Sequence, residues 1–268
     1  MKSIYKPTVN NNKLYIPEWC YEDTPIDYDY KENEYYVRII NNNEDRLKID
    51  YDKYRNIRKT SYFACRWYPE LIKKNIPTIP SILIRSTIYD IRSDINDIMK
   101  KNPNYKFVRL CGASPKDVTY IPIFSNYKDA ADCIYRSNRT MDIVKNFDHC
   151  HLFLRKVVDL ENECRCIVHN RKLRAVSIYF WIPENKRKEV ENSIISFFNN
   201  YGEILPYNSS VLELGWNKDN KPFIIEFNSF GIDGFAGSSL FDWDLETNIC
   251  YFSHKPHFRY PKEYDFTC

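Results

Sequence analysis

An α+β fold is predicted for this chain of 268 residues by two observations. Apolar residues recur at helical spacing in two separate segments, 86–101 and 184–201. Around these segments, short runs rich in apolar and β-branched residues follow one another through short turns, as strands of an antiparallel sheet do.

Taken in order, residues 1–58 are polar and rich in Asn and Tyr, with an acidic stretch from Glu18 to Glu34. Tyr35 to Ile40 alternates like a strand, and much of the remainder reads as an irregular appendage. The compact part begins near Ser61. Pro77, Pro80 and the apolar Ile82, Leu83 and Ile84 predict a short strand leading into the first helix. That helix is expected over 86–101, with Ser86 as N-cap, Ile88, Ile91, Ile95 and Ile98 on one face, and Pro103 beyond its end. The second helix, 184–201, carries Val190, Ile194, Phe197 and Phe198 as its stripe and stops at Gly202. Both stripes are read as packing surfaces against a sheet. Strands are expected over 107–110, 152–158, 163–168, 173–179, 211–216 and 222–228.

Composition narrows the function classes. The chain is 43% hydrophobic and 16% aromatic, which argues for a packed core, and its net charge of +3 lacks the footprint of a dedicated nucleic-acid binder. Nine cysteines, an odd number without a CxxC pair, fit a reducing compartment. The first residues show no stretch of signal-peptide type, and no apolar run approaches the roughly 18 residues that span a bilayer. A soluble, cytoplasmic protein is expected, with no membrane partner.

The chemistry concentrates in the segment Val211 to Asn228, two strands around a polar turn. With Asp219 and Asn220 as a two-residue loop, Lys218 pairs with Lys221 and Glu213 falls directly opposite Glu226. Asn228 shares their face, while Leu212, Leu214, Ile225 and Phe227 turn to the other and are expected to be buried. Two like charges facing one another across a ladder destabilise it unless compensated. A divalent cation held by oxygen ligands, Mg²⁺ or Mn²⁺, is one compensator. An ordinary solvated hairpin face, its carboxylates diverging or paired with lysines, is the other reading.

Ser229 to Ser239 follows, with Gly231, Gly234 and Gly237. Such a loop brings backbone N–H groups near a phosphate, or is a plain glycine turn; it lacks the Gly-Lys-Ser/Thr of a P-loop. Upstream, Leu152 to Lys156 ends in two adjacent cations, and Glu163, Arg165 and Ile167 alternate with Cys164 and Cys166. Arg165 inside a sheet needs an anion, either Glu163 or a phosphate. The two cysteines are read as core. His149, Cys150 and His151 are read as a loop-to-strand junction, because neighbouring strand residues face opposite ways and no further ligand is spaced to join them.

These blocks, in this order, resemble the cell-division-cycle protein 123 family of ATP-grasp-like proteins. Trp67-Tyr68-Pro69 is similar to the family's tryptophan-tyrosine-proline segment. Arg109 to Asp117 is similar to its Lys-Leu-Asn-Trp-Ser-Ala-Pro-Lys-Asp. Leu154 to Lys156 with Glu163 to Cys166 is similar to its Leu-Arg-Lys and Glu-Phe-Arg-Cys. Ile225 to Asn228 and Ser239 to Trp243 are similar to its Ile-Asp-Phe-Asn and closing Leu-Leu-Phe-x-Trp. The likeness runs over about 61–245 and departs from the pattern at Arg109 for lysine, Gly112 for tryptophan, Ser229 for proline, and Ser177-Ile178-Tyr179 for Ser-Gln-Arg.

The resemblance implies two α+β subdomains, about 61–150 and 151–250, enclosing a nucleotide cleft, after a divergent segment 1–60 and before a C-terminal tail. It implies ATP as ligand, with Arg109, Lys156 and Arg165 as nucleotide-binding residues. It implies Mg²⁺ (or Mn²⁺) at Glu213, Glu226 and Asn228, with glutamates where the family usually has aspartate. It also implies an assembly chaperone of translation initiation factor 2, docking on the gamma subunit. The alternative is an ATP-grasp ligase that forms an acyl-phosphate and joins a carboxylate to an amine. Nucleotide transfer to RNA or protein fits less well, given the near-neutral charge and the lack of a lysine-nucleophile motif.

Overall fold

The computed structural model describes residues 62–146, 149–231, 239–243, 245–246 and 248–261. The segment before residue 62, with its expected strand at 35–40, lies outside them, as do Gly234 and Gly237. Two compact units account for the described residues: 63–69 with 79–158, and 62, 70–78 with 159 onwards.

The first unit is built on a three-stranded antiparallel sheet of order β1-β3-β2, from β1 (Ser81–Ser86), β2 (Phe107–Leu110) and β3 (Cys150–Arg155). Helix α1 (Ala64–Lys73) begins in this unit, and α2 (Ile91–Lys101), α3 (Tyr127–Arg136) and α4 (Asn138–Asn146) belong to it. Ile91, Ile95 and Ile98 of α2, Ala130, Ala131 and Ile134 of α3, and Val108, Leu110, Leu152 and Leu154 of the sheet are essentially inaccessible to solvent. Trp67 and Tyr68 both meet Phe153 edge-on, and the Tyr68 hydroxyl closes a pair of hydrogen bonds with the backbone of Ser81. Asp117 accepts from the Asn138 amide at 2.8 Å and from the Ser137 hydroxyl, capping α4.

The first helix starts five residues later than the sequence predicts. Ser86 closes β1, and Ile88 precedes the helix, whose N-cap is Asp90. Ser86 instead donates its hydroxyl to Asp94 at 2.6 Å, so a residue with capping chemistry serves the helix from the end of a strand. Helices α1, α3 and α4 were not expected. Pro69 inside α1 and the short stripes of α3 and α4 hide the periodicity.

The second unit carries a five-stranded sheet of order β7-β6-β4-β5-β8. Its strands are β4 (Asn162–His169), β5 (Lys172–Ile178), β6 (Ser210–Trp216), β7 (Phe223–Asn228) and β8 (His257–Arg259). All pairings are antiparallel except β5 with β8. Asn170 and Arg171, with φ of 52° and 58°, form the two-residue turn between β4 and β5. Helix α5 (Glu184–Tyr201) matches the predicted span and buries Val190, Ile194 and Phe197. Cys164, Cys166, Leu212 and Leu214 share one fully buried face. On the other face Ile167, Ala175 and Val211 pack under Phe230, Phe241, Trp243 and Tyr251.

The β6–β7 hairpin differs from expectation at its tip. Strand β6 ends at Trp216 and β7 begins at Phe223, so the loop is six residues rather than two and Lys218 does not pair with Lys221. Within it the Asn220 amide donates to the Asn217 carbonyl, and Asn220 takes φ of 51°. Near the loop Gly215 pairs with Phe223 and Leu214 with Ile224; beyond a register shift Glu213 pairs with Glu226. Ile225 is the extra residue, a bulge. Ile224, not Ile225, is therefore the isoleucine buried beside Leu214, while Ile225 is half-buried.

Candidate functional site

One row of paired residues crosses the whole five-stranded sheet. Arg259 of β8 pairs with Ser177 of β5, Ser177 with Arg165 of β4, Arg165 with Glu213 of β6, and Glu213 with Glu226 of β7. Because partners in register project to the same face, the fold lines up two carboxylates and a guanidinium side by side. Tyr179 continues this face beyond β5, its amide donating to the Glu163 carbonyl at 3.0 Å.

Arg165 has Glu213 as an anionic partner, a pairing the alternation along β4 does not reveal. Its Nη2 lies 2.5 Å from Glu213 Oε1, directly across the β4–β6 ladder. The Tyr179 hydroxyl donates to the same oxygen at 3.4 Å, and the Arg165 guanidinium lies 5.6 Å from the centre of the Tyr179 ring. Glu213 is only 5% exposed, whereas Glu226 and Asn228 are half-buried. Asn228 Nδ2 donates to Glu226 Oε1 at 3.4 Å, which joins the outer two residues of the set.

Burial pushes the Glu213 carboxyl well above the usual carboxylate range, and the charge of Glu226 across the ladder pushes it further. Arg165 pulls the other way without cancelling the two. Burial likewise raises the Tyr179 phenol, which keeps its proton and acts as a donor. With both carboxylates ionised, Glu213 and Glu226 together carry more negative charge than Arg165 alone neutralises.

Glu213, Glu226 and Asn228 are brought together as the hairpin reading expected, with the wrong loop and an unforeseen bulge offsetting one another. Two carboxylates and an amide oxygen are hard donors of the kind Mg²⁺ and Mn²⁺ take, and the surplus charge suits a cation. They supply too few ligands for a cage of protein groups alone. Among the described residues no group of three or more His, Cys, Asp or Glu is placed to hold a metal ion. The set fits a cation whose remaining positions are taken by phosphate oxygens and water.

The other nominated residues lie in the first unit. Arg109, in β2, is half-buried, pairs with Phe153 and donates from Nε to the Leu110 carbonyl at 3.1 Å. Lys156 is exposed just past β3, its amide donating to the Pro80 carbonyl at 2.9 Å. Arg155, its neighbour, is buried and donates to the Ser81 hydroxyl at 3.3 Å. Cys164 and Cys166 are core, with sulfurs 3.7 Å apart. Cys150 and His151 are both buried, on opposite faces of β3, and burial pushes the Cys150 thiol up to about 12. Tyr179 is the residue that sequence reasoning passed over: it was noted only as a departure from the family pattern, although a tyrosine two residues beyond Ser177 on the Arg165 face was the available signal.

A CDC123-like protein, L884, of Acanthamoeba polyphaga mimivirus is 30% identical over 261 residues, covering 82% of this chain and 80% of that protein. The chain belongs to the CDC123-like family. Cdc123 from Schizosaccharomyces pombe superposes with a TM-score of 0.62 at 16% identity, over 76% of this chain and 97% of that one. Its C-terminally truncated form gives 0.60 at 17% identity, over 75% and 96%. No family model matches the chain. The α+β class read from the sequence holds, and the fold is that of Cdc123.

Gly112, where that family carries tryptophan, has a local explanation. A Cβ at this position would stand 2.5 Å from the Phe63 ring and 2.8 Å from Ile143 Cδ1. Phe63 and Ile143 occupy the space next to the backbone of residue 112, so the larger side chain is replaced from elsewhere in the chain.

Proposed function

We propose that this CDC123-like protein binds ATP together with Mg²⁺, or Mn²⁺, and in that state acts as an assembly chaperone for translation initiation factor 2 by docking its gamma subunit. The observation that supports the reading most directly is the register that sets Glu213 against Glu226 beside Arg165. Glu213, Glu226 and Asn228 are the proposed metal ligands. Arg165, Arg109 and Lys156 are the proposed basic contacts to the nucleotide, each to be tested singly. The bound metal would neutralise phosphate charge and stabilise the acid row together. The chaperone role and the partner rest on membership of the family.

Calorimetric titration of Mg²⁺-ATP into the wild type and Glu226→Ala tests the site. Binding is expected for the wild type and a loss of tenfold or more for the variant; equal affinities would remove the metal assignment. Capture of purified initiation factor 2 gamma subunit by the ATP-loaded protein tests the role. Sustained phosphate release with a small carboxylate or amine acceptor, and no such capture, would turn the reading to the ligase.

A further inference from the structure

The Arg165–Glu213 ion pair is not left to its two members. Tyr179 touches both: its hydroxyl reaches Glu213 Oε1 at 3.4 Å, and the Arg165 guanidinium lies 5.6 Å from its ring centre. Its own backbone is tied to the Glu163 carbonyl at 3.0 Å, so the side chain springs from a fixed point at the end of the β4–β5 ladder. Two donors therefore converge on one carboxylate oxygen, Arg165 Nη2 and the Tyr179 hydroxyl. A carboxylate held at one oxygen by two donors has its rotation about Cγ–Cδ fixed, which directs the second oxygen away from both.

We propose that Tyr179 is a positioning residue of the metal site: by bridging Arg165 and Glu213 it fixes the Glu213 carboxylate for a divalent cation shared with Glu226. The inference rests on the nucleotide–metal reading above and specifies a determinant within it. A ligand that arrives already oriented loses less freedom on coordination. A contribution made through the orientation of Glu213 is confined to the metal-dependent part of binding. A residue acting only through general packing would weaken the two parts together.

The test is Tyr179→Phe, which keeps the ring over Arg165 and removes the hydroxyl. Titrations of ATP are run with Mg²⁺ and, separately, with EDTA, on wild type and variant, after thermal melts establish that the variant is folded. Tyr179→Phe is expected to weaken Mg²⁺-ATP binding about three- to tenfold, as for loss of one long hydrogen bond to a carboxylate, and to leave metal-free ATP binding unchanged. The electron paramagnetic resonance spectrum of Mn²⁺ with ATP is expected to broaden in the variant as Glu213 samples more orientations. Unchanged Mg²⁺-ATP affinity, or an equal loss with and without metal, overturns the role of Tyr179 while the wild-type titration still supports the site. Absence of Mg²⁺-ATP binding by the wild type overturns the reading on which it stands. If Tyr179→Phe fails to fold, the same pair of titrations on Tyr179→Trp, which also lacks the hydroxyl donor at that reach, decides the question.

Discussion

Glu213 and Glu226 face one another across the β6–β7 ladder, and Arg165 reaches Glu213 from the strand on the other side. Opposed carboxylates in a non-covalent ladder repel, and burial of Glu213 amplifies the repulsion. In the absence of metal, Glu226→Gln should therefore stabilise the protein by about 1 kcal/mol while costing at least tenfold in Mg²⁺-ATP affinity. Denaturant melts in EDTA and the titration described above read the two effects separately. A variant destabilised in EDTA would mean that the pair is already compensated.

Removing Arg165 should have the opposite sign. Arg165→Met leaves Glu213 buried beside Glu226 without its cation, at a cost of about 3–5 kcal/mol. Adding Glu213→Gln to that variant should recover most of the loss. Urea unfolding of the two single variants and the double variant gives the coupling directly.

Stability of the metal-free protein should depend on pH from both sides. The Glu213 carboxyl is raised above its unfolded value to about 8, so its protonated form favours the fold. That contribution is complete below about pH 4.5 and is lost as pH rises through about 8. Burial holds His151 and His169 down at about 3 and about 4, so their contribution is present above pH 6.5 and is lost as pH falls through those values. Melting temperatures in EDTA across pH 4 to 9 should fall at both ends. Glu213→Gln should remove the alkaline decline and leave the acid one.

Gly112→Ala should destabilise by about 1–3 kcal/mol, because the new methyl group meets the Phe63 ring at van der Waals overlap. Phe63→Ala in the same chain should relieve the overlap, so that the double variant is less unstable than the sum of the two changes. Thermal unfolding of the four proteins tests the compensation.

The parts of the fold legible in the sequence are those fixed by local pattern. Helix α5 has a long stripe with Gly202 at its end, and Phe107–Leu110 has clear strand chemistry between turn signals; both match. The start of α2 did not, because Ser86 offers capping chemistry from a strand end and the helix takes Asp90 instead. In the site, same-face alternation brought out Glu213, Glu226 and Asn228. The pairing of Arg165 with Glu213 depends on which strand lies next to β4, and strand order is a long-range property. The contact of Tyr179 with Glu213 is hidden for the same reason, since the two stand 34 residues apart in the chain.

The bulge at Ile225 has a consequence for how the site responds to solvent ions. Gly215 lacks the side chain that would fill the space next to Glu213 on β6, and a Cβ there would stand 2.6 Å from Leu160 and 2.9 Å from Ile225. The side chains of Leu160 and Ile225 occupy that space instead, an apolar cover on one flank of the acid pair. Interactions shielded in this way are poorly screened by the ionic atmosphere. Affinity for a divalent cation at Glu213 should then change little between 50 and 500 mM sodium chloride, against the steep decline of a surface carboxylate pair. Replacing Ile225 with serine should restore that decline, making the salt dependence of binding a reporter of a single unpaired strand residue.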